Sequence, residues 1–171
     1  VIFGVVLGAI AIALLAWFVN LVAALLTLLA IVFYVFVYTI VLKRTTTQNI
    51  VIGGAAGALP PVIGWAAVTG SVEVPALFLF ALVFYWTPPH FWALSLRIAK
   101  DYAAAGVPML PVVVGGARAA RIVHAHAVVL VAASLLPMFF GAGWIYLAGA
   151  LLGGTHFLRK TWALAHQPTR K

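Results

Sequence analysis

The chain has 171 residues, of which 66% are hydrophobic and 7% charged, and its mean hydropathy of +1.21 lies far above that of a soluble domain. Ten Lys and Arg against two acids give a net charge of +8, but the basic residues sit in short clusters between apolar runs. That pattern reflects orientation in a bilayer rather than nucleic-acid binding, and the lack of cysteine excludes disulfide frameworks, zinc–thiolate sites and thiol nucleophiles.

An all-α, polytopic transmembrane bundle is therefore expected, with about six spans. Val1 opens directly in apolar sequence without a basic leader, so the chain reads as part of a longer one. The first span runs from Val1 to about Val19, and Asn20 is the only polar punctuation before the second, Leu21 to Leu42. Lys43-Arg44-Thr45-Thr46-Thr47-Gln48-Asn49 forms a short basic and polar loop. The third span, Ile50 to about Val68, carries Gly53 and Gly57 at the spacing of a close helix contact, and Pro60-Pro61 should kink or interrupt it. A turn from Gly70 to Pro75 holds Glu73. The fourth span covers Ala76 to about Leu96, the fifth about Ala119 to Phe140, and the sixth about Trp144 to Leu158, before a basic tail.

Lys and Arg are missing from the turns at Asn20, Gly70–Pro75 and Gly141–Gly143. They cluster instead as Lys43 and Arg44, as Arg97, Lys100, Arg118 and Arg121, and as Arg159, Lys160, Arg170 and Lys171. The alternation has no exception, so the positive-inside rule puts these polar segments on the cytoplasmic side.

The chain is organised around the stretch from Phe84 to Pro111, FYWTPPHFWALSLRIAKDYAAAGVPMLP. His90 follows a double proline within an apolar run, and Arg97, Lys100 and Asp101 then occur together. If the helix continues past the prolines, Leu94, Arg97 and Asp101 each fall within about 40° of His90, on a stripe of roughly 16 Å.

Each of these groups admits two readings. Lys43-Arg44 is a topological anchor, or with Thr45, Thr46, Thr47, Gln48 and Asn49 before a helix N-terminus it suits a phosphate or diphosphate. Asp101 is a juxtamembrane charge paired with Lys100 or Arg97, or a Mg2+ ligand that one carboxylate cannot complete alone. His90 is a structural residue at the proline break, a haem ligand, or an acid/base group. His124 and His126 lie two residues apart, on different helix faces, which argues against a shared metal. His156 and His166 read as ordinary interfacial residues, and the WTPPHFW aromatics fit a core, an interfacial belt or a flat-ligand pocket.

The runs YTIVLKRTTTQNIVIGGAAGALPPVIGWAAVTG (Tyr38 to Gly70) and WTPPHFWALSL…DYAAAGVPMLPVV (Trp86 to Val113) resemble the protohaem IX farnesyltransferase, or haem O synthase, branch of the UbiA-type intramembrane prenyltransferases. The resemblance extends over essentially the whole chain, in order. It implies a nine-span fold of which this chain is about the third to the eighth, a single partial domain over residues 1–171. The implied reaction moves the farnesyl group of farnesyl diphosphate to the vinyl group of haem B, with addition of water. Mg2+ is the implied cofactor, and the bacterial cytoplasmic membrane, with the site facing the cytoplasm, is the implied location. Haem A synthase or terminal-oxidase assembly factors are the implied partners. Carried over by position, Lys43 and Arg44 match the basic pair beside the diphosphate, with Gln48, Asn49, Arg97 and Lys100 as further candidates. Asp101 falls in the second acidic motif as a Mg2+ ligand, and His90 stands where other members of the superfamily place an Asp, as a candidate for haem contact or proton transfer. Thr47 stands where the family usually has Pro, and Ala104 where Arg is common. The first acidic motif is expected upstream of residue 1, so the 171-residue piece alone is expected to be inactive. A sister enzyme acting on a quinone or chlorophyll-type acceptor, and a non-catalytic haem-binding or transport bundle, are the alternatives.

Overall fold

The structure, a computed structural model, describes residues 2–166; Arg170 and Lys171 of the basic tail lie outside the described residues. Among these residues there are helices and turns and no strand, as the hydropathy demands. In order they are α1 (Ile2–Phe18), α2 (Leu21–Val32), a π-helix (Phe33–Leu42), α3 (Lys43–Thr45), α4 (Asn49–Thr69), α5 (Val74–Ser95), α6 (Ala99–Ala104), α7 (Leu110–Val114), α8 (Gly116–Ala133), a 3-10 turn (Leu136–Phe140) and α9 (Trp144–His166). Every expected span is helical. Four helical stretches, Leu21–Thr45, Asn49–Thr69, Val74–Ser95 and Gly116–Phe140, are long and apolar enough to cross a bilayer. Helix α1 is apolar but covers 17 residues, and α9 carries His156, Arg159 and Lys160 within its length, so these two fall outside that set of four. Large apolar side chains such as Trp17 (86% exposed) and Ile145 (92% exposed) face outward, the reverse of a soluble fold and the normal state of a lipid-facing surface.

The chain divides into two compact units, one up to Phe84 and one from Tyr85 on. In the first, α1 packs on α2, and both α2 and the π-helix pack on α4. Small residues make this possible: Ala23, Ala58 and Ala66 are fully buried, and Gly53 lies against the ring of Tyr38. Asn20 fixes the α1–α2 corner twice over. Its Oδ1 accepts from the Ala23 N–H at 2.9 Å as an N-cap, and its Nδ2 donates to the Ala66 carbonyl at 2.8 Å and the Ala67 carbonyl at 3.2 Å near the end of α4. Gly70, at φ +74, then stops α4, and its N–H returns to the Ala66 carbonyl at 2.8 Å. The Pro60-Pro61 pair does not interrupt α4, contrary to one expectation; the helix runs unbroken through it.

In the second unit α8 packs on α9 and α7 on α8. Ala119, Ala120, Val123, Ala127 and Leu130 form the buried stripe of α8 at helical spacing. The Tyr146 hydroxyl donates to the Ser134 carbonyl at 2.6 Å and closes the α8–α9 corner.

Candidate functional site

The first candidate segment follows the π-helix. A π-helix carries its hydrogen bonds one residue further back than an α-helix, as the Lys43 N–H shows by bonding to the Tyr38 carbonyl. The Thr45 hydroxyl donates to the Val41 carbonyl at 2.6 Å, so the helical path continues through Lys43 and Arg44 rather than stopping at Leu42. Thr46 turns the chain, and α4 begins at Asn49 with no side chain capping its N-terminus. Thr46 takes the Asn49 N–H on its carbonyl at 3.3 Å and the Gln48 N–H on its hydroxyl at 3.1 Å, so the exposed Lys43 and Arg44, with the positive end of the α4 dipole, make the cationic corner suited to an anion. Gln48 is exposed at that corner. Asn49 is different: it is 1% exposed, and its Nδ2 donates to the Lys43 carbonyl at 3.4 Å. Its side chain thus ties the turn together from within, and its buried Oδ1 has no donor among the described residues.

The second segment lies in the other unit. Helix α5 passes through Pro88 and Pro89 without a break, as the stripe argument required, but it ends at Ser95. The Leu96–Ile98 turn intervenes, with the Arg97 N–H on the Leu94 carbonyl at 3.1 Å and Ile98 at φ −120. The single stripe from His90 to Asp101 is therefore broken, because the helical phase is lost before Arg97. Asp101 sits in the first turn of α6. It is exposed, as are Arg97 and Lys100, and among the described residues it closes no ion pair with either. Gly106, at φ +66, closes α6, and the Val107 N–H reaches back to the Tyr102 carbonyl at 2.9 Å. Val107, Met109 and Pro111 are buried and anchor the following loop.

Asp101 is one carboxylate, and no group of three or more His, Cys, Asp or Glu comes together among the described residues. Mg2+ takes about six oxygen ligands in near-octahedral array, so these residues do not by themselves make its site.

His90 is exposed. Its ring stacks on Trp86, one turn earlier, with centroids 4.2 Å apart, and meets Phe91 edge-on at 5.2 Å. The remaining described histidines on α8 point to opposite neighbours, as their spacing implied. His124 Nδ1 lies 2.9 Å from the Thr161 hydroxyl of α9, and that hydroxyl donates to the Leu158 carbonyl at 3.1 Å. It must then accept from His124, which fixes the proton on Nδ1. His126 Nδ1 lies 3.0 Å from the Ile122 carbonyl, an acceptor only, so it too carries the proton. The His126 ring stacks with Tyr85 at 5.6 Å and meets Trp92 edge-on at 5.1 Å. The sequence singled out neither Thr161 nor Tyr85, because only the fold brings them to these rings.

The whole chain, residues 1–171, matches the family described as the UbiA prenyltransferase family. A relative from Chloroflexus aurantiacus named protoheme IX farnesyltransferase is 54% identical over 95% of this chain and 28% of its own length. One from Saccharopolyspora erythraea, named protoheme IX farnesyltransferase 1, is 56% identical over 92% of this chain and 50% of its own. One from Nostoc sp., named protoheme IX farnesyltransferase, is 51% identical over 98% and 53%. The chain thus spans about half the length of these relatives or less. No solved structure matches it.

Proposed function

The chain belongs to the UbiA prenyltransferase family, and from that premise we propose that its protein transfers the farnesyl group of farnesyl diphosphate to a vinyl group of haem B, giving haem O. The observation that carries this reading is the identity, over half of all aligned residues across nearly the whole chain, with proteins of that name. In the proposed reaction the bond between farnesyl C1 and the diphosphate oxygen breaks, and the diphosphate leaves with the electron pair. Lys43, Arg44 and the dipole at the N-terminus of α4 stabilise that developing charge, with Gln48 at the same corner. The haem vinyl carbon attacks the allylic cation, and water adds to the cation left beside the porphyrin, giving up its proton to the departed diphosphate. Apolar spans keep other water away until then. We assign Asp101 one ligand position on the Mg2+ that assists diphosphate departure when bound, in a set that the described residues do not complete. Arg97 and Lys100 are assigned to the diphosphate, and His90 to haem contact or proton transfer. The site is proposed to face the cytoplasm of a bacterial inner membrane, with haem A synthase or oxidase assembly factors downstream.

The test is haem O formation by the full-length protein in membranes supplied with haem B, farnesyl diphosphate and Mg2+. Haem O from the wild type, with large losses in Asp101→Asn and His90→Ala, supports the reaction and both assignments. Farnesyl delivered to a quinone or chlorophyll-type acceptor, with no haem O, overturns the substrate and keeps the family.

A further inference from the structure

Within the second unit, aromatic side chains of α5 face a histidine whose ring is held by a backbone carbonyl. His126 lies ten residues into α8 from Gly116, about 15 Å along the axis and so near the middle of a span. An ionisable side chain at that depth needs a reason to be there. Its Nδ1–H is held by the Ile122 carbonyl at 3.0 Å. That bond fixes the plane of the ring and leaves Nε2 without a partner among the described residues. A backbone carbonyl on the far nitrogen is the arrangement that orients a metal-ligating imidazole. Tyr85 covers one face of the ring and Trp92 stands edge-on to it. Trp92 itself is 4% exposed, and its indole N–H has no acceptor among the described residues. A buried donor without a partner, on a ring edge-on to this imidazole, is a polar group that the packing here leaves to be satisfied.

We propose that His126 Nε2 is the axial ligand of the iron of the acceptor porphyrin. This rests on the haem reading above and deepens it: iron–nitrogen coordination fixes the porphyrin against the Tyr85–Trp92 wall and so determines which vinyl group is presented. His90 suits this task less well. It is exposed, it stacks on Trp86, and among the described residues no hydrogen bond holds either of its nitrogens. His124 turns the other way, toward Thr161 and Trp162 of α9.

The experiment is a visible-spectrum titration of the full-length protein, purified in detergent, with haem B, run beside the haem O assay. In the wild type the expected spectrum is that of imidazole-ligated haem. His126→Gly loses it and binds haem about tenfold or more weakly; free imidazole restores the spectrum by filling the vacated position. His126→Met, which keeps an apolar side chain of similar reach, moves the spectrum to that of a thioether ligand. A wild-type spectrum retained in His126→Gly, or lost in His90→Ala instead, overturns the assignment while haem O is still formed. So does a lost spectrum that neither imidazole nor methionine alters. A wild type that neither binds haem nor makes haem O overturns the haem reading itself, which the parallel assay separates from the first two results.

Discussion

Gly53 of α4 sits directly under the Tyr38 ring of the π-helix, so close that a Cβ at Gly53 would lie 2.9 Å from Tyr38 Cε2 and 3.0 Å from Cγ, with Cδ2 nearer still. The glycine is required by this contact rather than by its backbone conformation, which is ordinary helix. Gly57, one turn on, has nothing within 4 Å of its would-be Cβ. Two glycines that look equivalent in sequence are therefore unequal. Gly53→Ala should destabilise the fold by about 1–3 kcal/mol through overpacking. Gly57→Ala should be neutral, or stabilise by up to about 1 kcal/mol through helix propensity. Thermal unfolding of both variants in the same detergent measures the difference, and equal losses would contradict the Tyr38 contact. The double change Tyr38→Leu with Gly53→Ala should recover part of the loss, since the two sites are in contact.

Asn20 carries a second prediction. Its oxygen caps α2 while its nitrogen donates to two carbonyls near the end of α4. Asn20→Asp keeps the cap but turns a carboxylate toward those carbonyls. Asn20→Ser keeps a cap and removes the long donor without adding charge. The expected order of stability is Asn, then Ser, then Asp, with Ser lower by about 1–2 kcal/mol. Exchange protection of the α4 C-terminal amides should fall in Asp beyond what the cap alone explains. Wild-type protection in Asn20→Asp would show that the reach to Ala66 is unimportant.

Hydropathy alone was enough to locate the helices, because a chain with so little polar sequence must satisfy its backbone internally. Lys43-Arg44 and the Gly70 turn were legible for the same reason: each interrupts an apolar run. The tertiary roles were hidden. Asn20 looked like punctuation, since nothing local reveals a partner 46 residues away. Proline was read as a breaker at Pro60-Pro61, yet the surrounding helix absorbs the two lost N–H donors. The actual break at Leu96–Ile98 has neither Gly nor Pro to announce it, so the predicted His90–Asp101 stripe failed there. Tautomers were unreadable in principle, because they depend on which acceptor the fold brings to each ring.

The His124–Thr161 pair gives a third prediction. Thr161 is 4% exposed and its hydroxyl donates a hydrogen bond to the Leu158 carbonyl, so it accepts from His124 Nδ1–H. Thr161→Val keeps the shape and leaves the His124 Nδ1–H with no acceptor, at a cost of about 1–3 kcal/mol. Thr161→Ser should cost less, since the acceptor survives. Nitrogen NMR of the labelled imidazole reads the tautomer directly: Nδ1–H in the wild type and in Ser, and a shift toward Nε2–H in Val. An Nε2–H tautomer in the wild type would mean that the hydrogen bond runs the other way.

The basic corner offers the last test, because two of its residues act at different levels. Lys43 and Arg44 are exposed beside the N-terminus of α4, whereas Asn49 is buried and holds the turn through the Lys43 carbonyl. If the corner binds diphosphate as proposed, Lys43→Ala and Arg44→Ala remove charged contacts worth about 1.5–3 kcal/mol each, or roughly tenfold to a hundredfold in affinity. The loss should appear in the KM for farnesyl diphosphate, grow weaker as salt is raised, and leave the unfolding temperature unchanged. Asn49→Ala should lower the unfolding temperature as well as the affinity, since the Lys43 end of the turn is then untethered. Asn49→Asp would place a negative charge under the same corner and should raise the KM further than Ala does. Should Asn49→Ala raise the KM with full stability, the side chain contacts substrate after all, and the buried orientation belongs to the ligand-free state alone.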